Sequence, residues 1–530
     1  MLRLSLALLA VVACSAQPPE PVQPPKTVRE VAHDIVADAH ATPVEIFANV
    51  VLQGNLLTSL PDKEQVQALE DAFYRAGEAR DPVALRYYAL PARLTAREAD
   101  RAAVFGKQLD ALSIRCRALR LMLKLDAKKA REMFEAMPRP EEAKSDCSQD
   151  FIPDAGIYFE TLAAVAASDG FTEEQRAKQA PFLMLERGAR SAGSSWDIIA
   201  AAKYLAVLAH NEKEAAALES ALAASLAIND SDRSFTNAVR YGFLVRAVLT
   251  ARETLQKKGA PGTAILEALR GYLARHLTAA RCRENEADAV SHDYEVEEFD
   301  NALAGRTDIA PIGDGLKPST LQDTAAPEEY ANAAEYAALR QELGPLVNFA
   351  IIAGGSGVTI SRGGPTPPPD GDSAPPSAAD LQFRAQQLLY KIGDFAAAPG
   401  QDPIEVFHQK CSLLRSLLGA PLDADTERAV NRQAIAVLED PAILSRSPVE
   451  WLNEYQSFSG ARRMRDTYNT GALSKLRVSA GGAATVNGYP ASHDPALNDP
   501  LIHSSFLPIS LYGRIAAFRD EHSAAPAPPR

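Results

Sequence analysis

The sequence predicts an all-α protein built of stacked helical hairpins, either a solenoid or an irregular α–α superhelix. Three observations predict it. Helix start signals recur along the chain, apolar residues repeat at helical spacing, and strand signals are nearly absent.

Thr42-Pro43-Val44-Glu45, Asp402-Pro403-Ile404-Glu405 and Ser447-Pro448-Val449-Glu450 share one device. The first residue can cap orphan backbone N–H groups, and proline fits the first helical position because its missing N–H had no intrahelical partner. The glutamate can reach back to close a capping box. Thr95-Ala96-Arg97-Glu98 and Thr172-Glu173-Glu174-Gln175 are boxes without the proline, and Asp81-Pro82-Val83 is the proline version without the glutamate. After Ser194-Ser195, the positions Ile198, Ile199, Ala202, Leu205, Ala206 and Ala209 form one helical stripe. Residues 212–228 repeat the pattern through Leu218, Leu222, Ser225 and Leu226. A further helix is expected over residues 235–258, stopped by Gly259, with Lys257 and Lys258 placed where cations meet the negative helix end. Short turns between such helices make antiparallel hairpins, and alanine-rich inner faces let the axes approach closely.

Tyr87, Tyr88, Phe235, Tyr241, Phe243, Tyr330 and Tyr336 occur at helical spacings and read as core. Trp196 and Trp451 follow N-caps and are expected to pack the hairpin ends. The only strand candidates are Val358-Thr359-Ile360 and Thr485-Val486-Asn487. No fixed repeat period aligns convincingly.

One boundary is clear. Residues 354–378 turn to Gly, Pro and Ser and read as a linker or long loop between a helical region at 27–353 and a smaller one at 379–522. Residues 14–26 form a Pro-rich tether, and residues 523–530 read as a disordered tail.

The N-terminus is an address. Arg3 gives a short positive segment, and the apolar run over residues 4–13 ends in Val11-Val12-Ala13-Cys14-Ser15. This resembles a bacterial lipoprotein signal, in which small residues precede a cysteine that is lipidated and becomes the mature N-terminus. The resemblance covers residues 1–15 alone. It implies a signal peptide over 1–13, lipid attachment at Cys14 and an extracytoplasmic, membrane-anchored protein of the periplasm or outer membrane in a Gram-negative cell. Ser15 resembles the residue that follows the cysteine in lipoproteins sorted to the outer membrane. The other reading is an ordinary signal peptide cut after Ala16, with Cys14 discarded.

Without Cys14, four cysteines remain: Cys116, Cys147, Cys282 and Cys411. An even number in an oxidising compartment points to two disulfides, Cys116–Cys147 by proximity and then Cys282–Cys411. Four buried free thiols are the alternative. No CxxC pair suggests zinc or redox chemistry.

A net charge of −13 argues against nucleic acid and against docking on anionic lipid, both of which need a cationic surplus. The chain has no HExxH, GxSxG, SxxK, P-loop or EF-hand motif. Gly354-Gly355-Ser356-Gly357 lacks the strand and helix a phosphate cradle needs. His33 and His40, flanked by Asp34 and Asp38, would stand about 10 Å apart along a helix, too far for one ion. The acidic run over residues 284–300 reads as an exposed face, and the loop carrying His493 and His503 as a surface crossover.

The expected function is therefore a non-enzymatic scaffold or protein-binding role at the cell envelope. Its expected partners are other envelope proteins, with membrane contact through the lipid alone, no nucleic acid and no cofactor. One alternative is an envelope polysaccharide hydrolase or lyase with a site assembled from distant helices, although an aromatic content of 7% is low for a sugar cleft. Another is a small-molecule binding protein.

Overall fold

The computed structural model describes residues 33, 36–37, 39–52, 57–87, 94–138, 151–228, 244–282, 286–305, 308–313, 316, 319–322, 329–353, 377–420, 422–438, 440, 443, 446–469, 476–478, 484–486 and 489–490. It is all-α, as the sequence predicts. The helices α1 (Val44–Val51) and α2 (Asp62–Arg75) precede a short strand, β1 (Leu85–Tyr87). Then come α3 (Ala96–Phe105), α4 (Ala111–Met122) and α5 (Ala127–Ala136), followed by β2 (Phe151–Pro153), which pairs antiparallel with β1. The next helices are α6 (Gly156–Ala167), α7 (Glu173–Ala177), α8 (Ala180–Arg190), α9 (Ser195–Leu205), α10 (Glu212–Ile228), α11 (Leu244–Gln256) and α12 (Thr263–Thr278). Strand β3 (Arg281–Cys282), α13 (Glu286–Ala302) and β4 (Leu321–Gln322) lead to α14 (Ala333–Ala353). The last helices are α15 (Ala378–Asp394), α16 (Pro403–Leu418), α17 (Ala424–Leu438) and α18 (Pro448–Asn469). A small antiparallel sheet, β5 (Leu476–Val478), β6 (Ala484–Val486) and β7 (Tyr489–Pro490), follows and takes in the strand candidate at Thr485-Val486.

The caps are where the sequence puts them. Thr95 with Glu98, Thr172 with Gln175 and Ser194 with Asp197 each close a reciprocal capping box. Each such cap contributes about 1 kcal/mol to its helix. Asp402 caps α16 through the Ile404 N–H at 3.0 Å, but Glu405 is drawn outward to Arg97, at 2.8 Å, instead of closing a box. The segment Asp81-Pro82-Val83 is a correction: it leads into β1, not a helix. With no glutamate to complete the cap, the Asp81 carbonyl accepts the first N–H of α4 at 2.8 Å.

The helices stack by next-but-one contacts. In one row α2, α4, α6, α8, α10 and α12 pack successively, and in a second α9 packs on α6, α11 on α9 and α13 on α11. This is the arrangement of stacked hairpins. Small residues let the rows close up, with Ala200, Ala201, Ala202, Ala215 and Ala221 all buried. One polar tie crosses the rows and another joins neighbours within the first. Ser195 Oγ lies 2.6 Å from Tyr272 Oη, and buried Glu219 on α10 accepts the backbone N–H of Gly262 at 2.8 Å, at the start of α12.

The C-terminal helices join the same body. α16 packs on α14, α17 and α18, and α18 packs back on α1 and α3. One continuous apolar core runs from Ala39 to Phe458. Trp196 and Trp451 are both buried just inside their helix starts, and Trp451 stacks on Tyr455. Among the described residues no helix is long and apolar enough to cross a membrane.

The expected disulfides are corrected for the two thiols the structure describes. Cys116 and Cys411 are free and fully buried. Cys116 faces the core from α4 and bonds to Thr161, and Cys411 faces the core from α16. Both helices use their cysteine as a small apolar residue. Cys147 and the side chain of Cys282 lie outside the described residues, as does Cys14.

Candidate binding groove

The second row of helices leaves a groove of about 680 Å³ across α6, α9 and α11. Its base is built from small residues, with Gly156 on α6, Ala200 on α9, Ala206 just beyond it, and Ala247 and Ala251 on α11. Ile157, Trp196, Ile199 and Val207 add apolar surface, and Val207 is 56% exposed. The small side chains create the groove, because a larger residue at these helical positions would fill the space between neighbouring axes.

Charge rings this apolar base. Arg86 from β1, Arg120 from α4, Lys203 from α9 and Arg246 from α11 line it beside two carboxylates, Asp154 and Glu160. Arg86 pairs with Asp154, and Arg120 with Glu160 at 2.7 Å. The guanidinium of Arg246 donates to Tyr294 Oη at 2.9 Å and meets Glu298 at 3.5 Å. The ammonium of Lys203 sits 4.9 Å from the Tyr204 ring centre. Carboxylates and rings thus hold the cations in place, and an arginine held through one edge keeps other donors for a ligand. With Glu298 counted, four cations stand against three carboxylates, a small local surplus of positive charge on a chain of net charge −13.

A second polar cluster is sealed inside. His408 Nδ1 lies 2.9 Å from Glu454 Oε1, and Arg415 donates to Glu454 Oε2 at 2.5 Å. Burial alone would push His408 down, but the bond and charge of Glu454, helped by Asp100 and Glu450, hold it above its ordinary value. Burial raises Glu454, and its bonds to His408 and Arg415 more than reverse that, leaving it low. Asp100 on α3 accepts a hydrogen bond from Tyr330 Oη, and burial pushes its carboxyl up. Beside them Asn332 accepts from Gln401 at 3.0 Å and Gln409 at 2.7 Å. His408, Glu454 and Arg415 bond to one another, and Asn332 bonds to Gln401 and Gln409, so the cluster ties helices together, with Asn332 Nδ2 left without a hydrogen-bond partner.

The acidic run is not wholly an exposed face. Glu295 on α13 is only 1% exposed and accepts the backbone N–H of Val245 at 2.9 Å. Burial, with the like charge of Glu298, pushes its carboxyl up to about 8. His33 and His40 are exposed. The glycine segment at 354–357 and the loop with His493 and His503 lie outside the described residues.

Neither the groove nor the buried cluster was singled out by sequence reasoning. The one local signal for the groove was the alanine content of the second-row helices. No family model matches the chain, and no curated protein or solved structure matches it.

Proposed function

We propose that the protein is a non-enzymatic scaffold of the cell envelope, lipid-anchored at Cys14, that holds a partner protein by an extended acidic segment in the α6–α9–α11 groove. The observation that carries this reading is the composition of the groove. Tryptophan, tyrosine and arginine around an apolar base are the residues that dominate interface hot spots. The cationic surplus on an acidic chain favours an acidic occupant and disfavours a basic one. The anchor rests on the signal-like segment, and the Pro-rich residues after Cys14 would hold the body off the lipid surface.

The test uses fluorescent short peptides of alternating Glu and Leu, or Lys and Leu, with anisotropy as the readout. The Glu/Leu peptide should bind, and Lys203→Glu or Thr250→Trp should abolish binding without changing the helical content. Equal binding of both peptides, or unchanged binding by the two variants, would overturn the groove reading. Intact mass from the membrane fraction tests the anchor separately, as a diacyl or triacyl group on Cys14.

A further inference from the structure

Three of the four groove cations are held by side chains that themselves line the groove. Arg246 is the exception, because its holders sit on α13, which contributes no lining residue. Tyr294 and Glu298 stand one turn apart on that helix. Tyr294 Oη accepts the Nη2–H of Arg246 at 2.9 Å, and Glu298 Oε1 lies 3.5 Å from Arg246 Nε. Nε and Nη2 form one edge of the guanidinium, so α13 grips a single edge. Glu298 Oε2 is buried without a hydrogen-bond partner, and Arg246 is the cation that compensates this carboxylate. Beside them Glu295 accepts the N–H of Val245 at 2.9 Å, which ties the first turn of α11 to the same stretch of α13. Arg246 is thus fixed twice, through the backbone next to it and through its Nε–Nη2 edge.

We propose that α13 presents Arg246 as a two-pronged seat for one carboxylate of the groove's occupant, with Tyr294 as the positioning residue. The seat belongs to the acidic segment proposed for the groove and rests on that reading. An arginine carries five N–H donors in a rigid plane. With Nε and one Nη2 hydrogen turned to α13, both Nη1 hydrogens and the second Nη2 hydrogen have no partner among the described residues. The Nη1–Nη2 edge is the fork that takes a carboxylate through two parallel N–H···O bonds. A guanidinium free to swing gives up side-chain entropy when it binds, and one already held gives up less. The Tyr294 hydroxyl is neutral, so it holds the plane without cancelling the charge that the occupant meets. Glu298 adds to the grip while offsetting part of that charge. A lysine at the same place would keep the charge and lose the fork.

The experiment is a double-mutant cycle on the full chain, read by anisotropy of the fluorescent Glu/Leu peptide. Tyr294 is 45% exposed and Arg246 is exposed as well, so neither change threatens the fold. Tyr294→Phe removes the hydroxyl with no change of charge and should weaken binding by about three- to fivefold, the scale of one partly exposed contact. Arg246→Lys should weaken it by about tenfold, because the charge stays and the fork is lost. In the Arg246→Lys background Tyr294→Phe should have no further effect, an outcome that a general loosening of α11 would not give. Unchanged binding by Tyr294→Phe or by Arg246→Lys would overturn the seat, and so would equal losses from Tyr294→Phe in both backgrounds. Each of these results leaves the groove reading standing where Lys203→Glu still abolishes binding. A wild type that does not bind the Glu/Leu peptide at all would overturn the groove reading, and the seat with it.

Discussion

Gly170 lies so close to Ala127 that a Cβ on it would fall 2.3 Å from the Ala127 carbonyl oxygen. The turn after α6 passes directly over the start of α5, and the Gly170 carbonyl in turn accepts the Arg131 Nε–H at 3.0 Å. Because the obstacle is backbone, a side chain here must move a helix end. Gly170→Ala should destabilise the protein by about 1–3 kcal/mol, the usual cost of overpacking. Gly271, within α12, meets only the end of Arg275 at 3.4 Å. Gly271→Ala should stabilise by roughly 0.5–1 kcal/mol through helix propensity. Urea unfolding of both variants checks the pair, and a change of the same sign in both would contradict this account.

Cys116 and Cys411 should resist alkylation in the folded protein and react on unfolding without any reductant. Burial pushes the Cys116 thiol up to about 12 and the Cys411 thiol well above its ordinary value, so neither forms the nucleophilic thiolate. Labelling with iodoacetamide in native buffer, then in urea, with peptide mapping, separates the outcomes. If these two positions label in urea only after reduction, they are in disulfides and the structure is wrong at both.

Trp451 should be the least replaceable residue of the C-terminal helices. It is fully buried, stacks on Tyr455 with ring centres 5.2 Å apart, and donates its Nε1–H to the Leu438 carbonyl at 2.9 Å. Trp451→Phe keeps the apolar bulk but leaves that carbonyl without this donor, a loss of roughly 1–3 kcal/mol. Trp451→Ala adds a cavity, for a total of about 3–5 kcal/mol. Equal Tm values for the two variants would mean that packing contributes little here.

What the sequence discloses and what it hides divide along the range of the interactions. A cap is local, so Thr95, Thr172 and Ser194 announce their helices within four residues. The groove cannot be read this way. Arg86, Arg120, Lys203 and Arg246 each look like an ordinary surface cation, and only the packing of β1, α4, α9 and α11 around one groove brings them together. His408 and Glu454 hide for the same reason, since they sit on different helices and meet only after packing. Glu405 and Glu450 show local signals overridden by tertiary ones. Both follow a proline-led helix start, yet one pairs with Arg97 and the other with Arg80. Asp81-Pro82 begins like a helix and becomes the approach to a strand because β2 is there to pair with β1.

Glu295 shows most sharply how an acidic run misleads, and it sets a pH dependence of its own. Surrounded by carboxylates in sequence, it is nevertheless buried, with Oε2 on the Val245 N–H and Oε1 without a hydrogen-bond partner. Its carboxyl moves from an ordinary 4.5 to about 8 in the fold, chiefly because burial disfavours the charge. Below about pH 4.5 it is protonated in both folded and unfolded chains and contributes no slope. Between there and about pH 8 the unfolded chain has released a proton that the folded chain keeps. Rising pH therefore favours unfolding across that window, by up to about 1.4 kcal/mol per pH unit, and the loss levels off above it. His408 titrates in the same sense, so wild type alone cannot isolate Glu295, but Glu295→Gln can. The amide keeps the shape and an oxygen for the Val245 N–H while removing the titration. Glu295→Gln should match wild type near pH 4.5 and exceed it increasingly up to about pH 8, as read from urea midpoints at several pH values. A stability difference between the two that stays constant with pH would show that Glu295 is ionised in the fold.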